Sequence, residues 1–260
     1  MKIASWNVNS VRTRLPTILQ WFEETGPDVA CLQEIKCQDE QFPNEAFAGL
    51  GYTCAVHGQK SYNGVAILSK HPISDVRRGL PSSPDDDHAR YIEALITADS
   101  GPVRVASIYL PNGNPIDTDK FTYKLGWMAR LQSHAKDLLA KEEKLVLAGD
   151  YNVIYRDADC WDPSVWTNDA LYAKEVRDAF AALMWEGLTD AWLAKDGREH
   201  HYTFWDYQRG AWARGHGIHI DHILLSSQAA DVLQGVQIHK EARAMEKPSD
   251  HVPVMVELDT

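Results

Sequence analysis

Asp150 and Asn152 stand two residues apart, just after the apolar run Leu145-Val146-Leu147-Ala148-Gly149. On an extended chain both side chains point to one face. That sets a carboxylate able to orient or deprotonate water beside an amide able to donate to a phosphoryl oxygen. Other polar residues also sit at the ends of short apolar runs. Asn7 and Asn9 close Ile3-Ala4-Ser5-Trp6, Glu34 closes Val29-Ala30-Cys31-Leu32-Gln33, Asp221 opens Ile223-Leu224-Leu225, and Asp250-His251 precede Val252-Pro253-Val254-Met255-Val256. Each has an ordinary alternative when taken singly: Gly149-Asp150-Tyr151-Asn152 reads as a turn, Glu34 as a solvated glutamate, Asn9 as a helix cap, and His251 as a hydrogen-bonded core histidine. Their joint occurrence at run ends carries the argument.

If the strands are neighbours, these tips converge. Carboxylates and amides without a thiol cluster suit a hard divalent cation, Mg²⁺ with Mn²⁺ as a substitute. Glu34 is the rigidly held oxygen ligand, and Asn7 is placed to support it. Asp221 can take one imidazole N–H of His251, fixing the tautomer and favouring the charged ring, which would stabilise negative charge at a pentacovalent phosphorus. The combination reads as metal-assisted phosphoester hydrolysis. A serine-nucleophile mechanism fits poorly, because no serine has the nucleophile-elbow setting. Tyr109 ends Val103 to Ile108 and can bring its hydroxyl to the same edge, and Arg90 can meet a phosphate, although a strand-end tyrosine and a loop arginine are commonly just packing and solvated charge.

Composition supports an enzyme more than a polyanion-coating protein. The formal net charge is −11, which disfavours non-specific adhesion to nucleic acid but leaves room for one basic face. Candidates for that face are Arg12, Arg14, Lys36, Lys60, Lys70, Arg77, Arg78, Arg90, Lys120 and Lys124. The four cysteines show no C-x-x-C spacing, arguing against structural zinc and a disulfide framework. No apolar run approaches the length of a membrane span, and no leader pattern opens the chain, so a cytoplasmic protein acting away from membranes is expected.

The elements that must position these residues are those of a mixed α/β protein. Strands are expected at Lys2 to Val8, Val29 to Gln33, Tyr52 to His57, Val65 to Ser69, Ile73 to Arg77, Ile92 to Ala98, Val103 to Tyr109, Lys144 to Ala148, Thr203 to Tyr207, Ile218 to Ser226 and Val252 to Leu258. Helices are expected at Leu15 to Glu24, Lys120 to Lys141 and Ala170 to Trp185. Two similar halves, each supplying a sheet packed face to face with helices outside, would accommodate them within one catalytic domain spanning residues 1–260. Gly79 to Arg90 and Arg156 to Asn168 read as long functional loops.

The chain resembles the exonuclease III family of the endonuclease/exonuclease/phosphatase superfamily. The resemblance lies in Ile3 to Asn9, Cys31 to Lys36, Gly58 to Lys60, Asn63 to Ile67, Arg77 to Gly79, Tyr109 to Gly113, Ala148 to Asn152, Ile220 to Leu224 and Met245 to Val254. It implies a four-layer α/β sandwich and a Mg²⁺-dependent nuclease, working as a monomer on duplex DNA as a 3′→5′ exonuclease and abasic-site endonuclease. By matching motif, Glu34 binds the metal with Asn7 in support, Asp150 activates water, Asn152 holds the scissile phosphate, Asp221 orients His251, Asp250 is a further metal-side carboxylate, and Tyr109 acts at the phosphate or leaving oxygen. Phe204, with Ile218 and Ile220, takes the place of an apolar pocket for the flipped abasic sugar. Asn112 stands where glutamine is frequent, His219 where arginine is common, and Arg90, Asn112 and Lys120 are expected on the substrate side. Two rivals remain: a superfamily phosphodiesterase acting on a non-DNA substrate, and a DNA-binding scaffold without catalysis. Loss of Glu34, Asp150, Asn152, Asp221 or His251 would have favoured the scaffold, and all are present.

Overall fold

Alternation of apolar and small residues along the strands decides which layers meet. The computed structural model describes residues 1–81, 86–99 and 101–259. Its strands are β1 (Lys2–Asn7), β2 (Val29–Gln33), β3 (Thr53–His57), β4 (Val65–Ser69), β5 (Ile73–Arg78), β6 (Tyr91–Ala98), β7 (Gly101–Tyr109), β8 (Leu145–Asp150), β9 (Thr189–Asp190), β10 (Asp221–Leu225), β11 (Leu233–Ile238) and β12 (Val254–Leu258). The α-helices are α1 (Leu15–Thr25), α2 (Asn44–Ala48), α3 (Asp119–Leu139), α4 (Lys174–Trp185), α5 (Ala191–Lys195), α6 (Ala211–Arg214) and α7 (Ser227–Ala230). Two six-stranded mixed sheets form, in the orders β11-β12-β1-β2-β4-β3 and β5-β6-β7-β8-β10-β9.

Ile3, Val29, Cys31, Val65 and Ile67 of the first sheet pack against Ile92, Ala94, Val105, Val146, Ala148 and Ile223 of the second. The alternate residues Ala4, Trp6, Ala30, Leu32 and Leu68 face outward and are covered by Ile18, Trp21 and Phe22 of α1. On the far side α3 and α4 lay Trp127, Met128, Leu131, Val176, Phe180 and Leu183 over Ala106, Ile108, Leu145 and Leu147. The result is the expected helix–sheet–sheet–helix sandwich.

Each sheet has a parallel pair at its centre. β1 lies beside β2 with Asn7 opposite Gln33, and β7 beside β8 with Tyr109 opposite Asp150. The carboxyl ends of both pairs therefore open on the same edge, the region where open α/β sheets bind ligands. β10 runs antiparallel to β8 and sets Asp221 opposite Asp150, while β12 runs antiparallel to β1 and starts just after His251.

Several expected elements are corrected. Thr203 to Tyr207 is not a strand: Phe204 makes single bridges to Ile218 and His251, and the segment is held by its contacts with Ile218, Asp250 and Val252 rather than by a ladder. The second long helix starts at Lys174 because Asp169 first spends its carboxylate on the Leu171 N–H and the Asn114 amide. β9 and β11 were not anticipated. β9 has two residues, and β11 carries Gly235 and a shift of register beside it, which blurs its periodicity. Gly149 lies inside β8 rather than in a turn, and an added Cβ would meet the Ile108 carbonyl oxygen at 2.0 Å, so glycine is required for the close approach to β7. Part of the expected Gly79 to Arg90 loop, residues 82–85, lies outside the described residues. Among those described, no helix is long and apolar enough to cross a membrane.

On the outer face of β10, His222 donates Nδ1–H to the buried Asp190 at 2.9 Å, and Asp190 also caps α5 through the Leu193 N–H at 3.0 Å. Burial opposes both charges, yet the pair holds the Asp190 carboxyl below its ordinary range and raises the His222 imidazole above its own. The histidine contribution is complete below about pH 6.5 and is lost as pH rises through its raised folded value, and the aspartate contribution is complete above about pH 3.9 and is lost as pH falls through its lowered one. Asp190→Asn should therefore cost about 3–5 kcal/mol in urea unfolding near pH 5.5, with the gap to wild type narrowing at alkaline pH. A gap independent of pH would contradict the ion pair.

Candidate active site

Asn7 lies at the carboxyl end of β1 with its side chain on the inner face, between the sheets. Its Nδ2 donates to Glu34 Oε1 and to Asp150 Oδ2, both at 2.9 Å, so one buried amide links the two sheets through both of its hydrogens. Behind it the seam stays polar: the Gln33 side chain donates to Ser107 Oγ at 3.0 Å across the sheets. Just past each strand end the chain turns through a left-handed residue, Glu34 at φ 51° and Asn152 at φ 49°. Asparagine tolerates that region and glutamate rarely does, so the backbone is strained where the Glu34 carboxylate is delivered. The Ser10 and Ile35 N–H groups, bonded to the Glu34 and Gly64 carbonyls, hold the turn.

Glu34, Asp150 and His251 place ligand-type atoms within 4.8 Å of one another. His251 Nδ1 faces Asp221 Oδ2 at 2.9 Å, and its Nε2 lies 3.7 Å from Asp150 Oδ2. Burial opposes the imidazole charge, but Asp221 and Asp150 overcome it and raise the ring to about 10. The Asp221 contact takes up Nδ1 and favours the charged, donor form of the ring, whereas the carboxylates of Glu34 and Asp150 offer the oxygen ligands a hard cation prefers. Burial also raises Asp150 to about 7, against the pull of His251. Burial acts against the Glu34 charge too, yet Lys36 and Asn7 hold its carboxyl below the ordinary range, with Lys36 Nζ 2.8 Å from Oε2. Tyr109 is raised well above its usual value by burial and by the Glu34 and Asp150 carboxylates, so it keeps its proton.

Asn152 is fixed on three sides. Its N–H bonds Asp150 Oδ1 at 2.9 Å, one amide hydrogen goes to the Leu110 carbonyl at 2.9 Å, and Oδ1 accepts from Asn112 Nδ2 at 3.3 Å. The second amide hydrogen is the one available to a ligand oxygen. Asp250 stands apart from the cluster, with Oδ1 taking the Asn9 amide at 3.0 Å and the Ser249 hydroxyl at 3.3 Å. Asn9 in turn accepts from Lys36 at 2.6 Å.

Around this centre, Arg90 stacks on Tyr109 at 4.7 Å with its Nε buried and without a partner among the described residues. Phe204 meets the edge of His251 at 4.9 Å and, with Ile218, lines a pocket of about 470 Å³ whose walls include Trp161, Trp166, Arg209 and Arg214. Ile220 backs this wall from the cluster of Ile154, Cys160 and Leu171 and does not line the pocket. The stack of Trp161 on His216, 3.7 Å apart and 4° from parallel, joins the two loops of the rim. Arg209 and Arg214 escaped the sequence reading, which placed the basic face in the first half of the chain. Lys120 is exposed at the start of α3, whereas Lys124, expected on the same basic face, is fully buried. Arg14 and Arg78 spend donors on the Pro248 and Val56 carbonyls, and Arg77 faces the buried Glu93.

Residues 4–251 match the Endonuclease/Exonuclease/phosphatase family. The chain belongs to that family. Exodeoxyribonuclease III of Haemophilus influenzae is 34% identical over 99% of both chains. Among solved structures, the 3′ phosphatase NExo from Neisseria, bound to product DNA hairpin, superposes with a TM-score of 0.96 at 40% identity and full coverage of both chains. An AP endonuclease from Archaeoglobus fulgidus superposes with a TM-score of 0.94 at 35% identity, again over the whole of both chains. The four-layer sandwich expected from the sequence is thus the architecture of the family.

The Asn7 bridge predicts the response to an added charge. Asn7→Asp crowds a third carboxylate onto Glu34 and Asp150 and should lower stability by about 3 kcal/mol with chelator present, with much of the loss recovered in millimolar Mn²⁺. Thermal unfolding under both conditions measures this. An equal loss with and without the cation would contradict a metal held by these carboxylates.

Proposed function

We propose that this protein is a divalent-metal-dependent DNA repair nuclease, a single catalytic domain that hydrolyses phosphodiesters at 3′ ends of duplex DNA and 5′ to abasic sites. The observation that carries this reading is the convergence of Glu34, Asp150, Asn152 and the charged Asp221–His251 pair at one sheet edge. Support for DNA as substrate comes from the exodeoxyribonuclease, 3′ phosphatase and AP endonuclease relatives matched over the whole chain. The donor set fits Mg²⁺, with Mn²⁺ as a substitute: hard oxygens from Glu34 and Asp150, with Asn7 fixing their spacing. When bound, the cation would neutralise phosphate charge and stabilise the leaving oxygen.

The chain's own groups divide the remaining work. Asp150 orients the attacking water and takes its proton. Asn152 donates its free amide hydrogen to the scissile phosphate, and the His251 imidazolium, locked by Asp221, donates Nε2–H to the non-bridging oxygen on which charge accumulates. Tyr109, protonated beside Glu34, can donate to the phosphate or leaving oxygen. Arg90, part-exposed beside Tyr109, and the exposed Lys120 supply positive charge for the backbone of the bound strand. Asp250 acts through Asn9, and Asn112 through Asn152, while Phe204 and Ile218 present an apolar wall to a sugar lacking its base. The protein is proposed to act as a monomer in the cytoplasm.

A duplex with one internal abasic analogue and an intact duplex, each end-labelled and incubated with Mg²⁺, test the substrate. Incision 5′ of the lesion, trimming from 3′ ends, or both support the reading, and no cleavage of either overturns it. His251→Ala should lower the single-turnover rate by at least ~10²-fold with DNA affinity nearly unchanged, whereas Arg90→Ala should weaken binding and flatten its salt dependence. Equal loss of affinity in the two variants would contradict this division of roles.

A further inference from the structure

Lys124 is the one lysine among the described residues whose side chain is fully buried, in the second turn of α3. No carboxylate lies within ion-pair distance of it among those residues. Instead Nζ donates to two backbone carbonyls, Asn112 O at 3.0 Å and Asn152 O at 2.6 Å. The site is built around it. Gly113, at φ +86°, lets the loop after β7 fold onto the lysine stem, where an added Cβ would meet Lys124 Cδ at 2.5 Å. A methionine or leucine would fill the same space without the desolvation penalty of an ammonium. What the amine adds is a direct tie between the Asn112 and Asn152 carbonyls, further out than the Leu110 N–H to Asp150 carbonyl bond and beside the Asn152 amide to Leu110 carbonyl bond that already join these strand ends.

Those loops carry the two residues whose side chains meet at the phosphate position. Asn112 Nδ2 donates to Asn152 Oδ1, and Asn112 Oδ1 accepts from the Asn114 N–H and side-chain amide at 3.2 and 3.0 Å. Asn114 is itself tied to Asp169. The orientation of the Asn152 amide thus depends on Asn112, and the separation of the two depends on Lys124 beneath them. We infer that Lys124 is a positioning residue for phosphodiester hydrolysis: it holds the Asn112 and Asn152 carbonyls together so that the free Asn152 amide hydrogen points at the scissile phosphate. The inference rests on the assignment of Asn152 given above. Burial lowers the Lys124 amine to about 7 against the weaker pull of Asp150 and Asp169, and Nζ keeps N–H donors for both carbonyls whether or not it carries the extra proton.

The test is a double-mutant cycle between Lys124→Met and Asn152→Ala, read as single-turnover cleavage and as affinity for 3′-phosphate DNA in chelator. Lys124→Met should lower the cleavage rate ~10²-fold and leave affinity within about threefold, and it should cost little more once Asn152 is alanine. Additive losses, or a loss confined to affinity, would overturn the positioning role. Asn152→Ala at the wild-type rate would instead overturn the role of Asn152. Lys124→Gln, which keeps an amide donor, should recover part of the rate. In the wild-type protein, independent of any variant, the Lys124 ammonium should give a slowly exchanging ¹⁵N signal that shifts when 3′-phosphate DNA binds, and absence of that shift would also overturn the inference.

Discussion

One amide holds the two halves of this molecule in catalytic register. Asn7 projects from the end of β1 into the gap between the sheets and bonds Glu34 of its own sheet and Asp150 of the other. Without a donor there, the buried Asp150 carboxylate and the part-buried Glu34 carboxylate would face each other across the seam. With it, they are spaced to receive a cation, and the remaining groups assemble relative to that spacing. Asp221 lies opposite Asp150 in the ladder, His251 bonds Asp221, and Asn152 is latched to Asp150 through its own N–H.

The electrostatics follow from this placement. Three carboxylates at one buried edge are tolerated because His251 and Lys36 carry compensating charge and Asn7 supplies neutral hydrogen bonds. Burial then separates the roles of chemically similar groups: Asp150 is raised toward neutrality while Glu34 is held low by Lys36 and Asn7. Two carboxylates at one edge are thus given different proton affinities by their neighbours. A further hollow of about 950 Å³ between Tyr155 and Arg177 includes none of the proposed catalytic residues, and its Asp157, Tyr172 and Arg177 are paired with one another.

Much of the site could be read from the sequence because its residues sit at the ends of strands with plain apolar patterns. Asn7, Glu34, Asp150, Asp221 and His251 were all expected at one edge, and the structure brings them there. Asp250 shows the limit of that logic: it shares the strand end but turns to Asn9, because the residue beside it, His251, takes the inward direction. Lys124 shows another, since nothing local distinguishes a buried lysine from the solvated Lys120 one turn earlier. Its partners are main-chain carbonyls brought in by two distant loops. Arg209 and Arg214 were missed for a related reason, as they reach the Phe204 pocket only through the fold of an irregular segment. The same holds for β11, where Gly235 and a register shift hide the alternation that revealed the other strands.

In the proposed mechanism Glu34 and Asp150, spaced by Asn7, hold the catalytic cation while His251 stands by as a charged donor. Crystals of the protein with 3′-phosphate DNA, soaked in Mn²⁺ and measured at the manganese edge, address it most directly. An anomalous peak is expected within bonding distance of Glu34 and Asp150 oxygens, with His251 Nε2 facing a phosphate oxygen. A peak bonded to His251, or DNA seated at this edge with no peak between the two carboxylates, would contradict it.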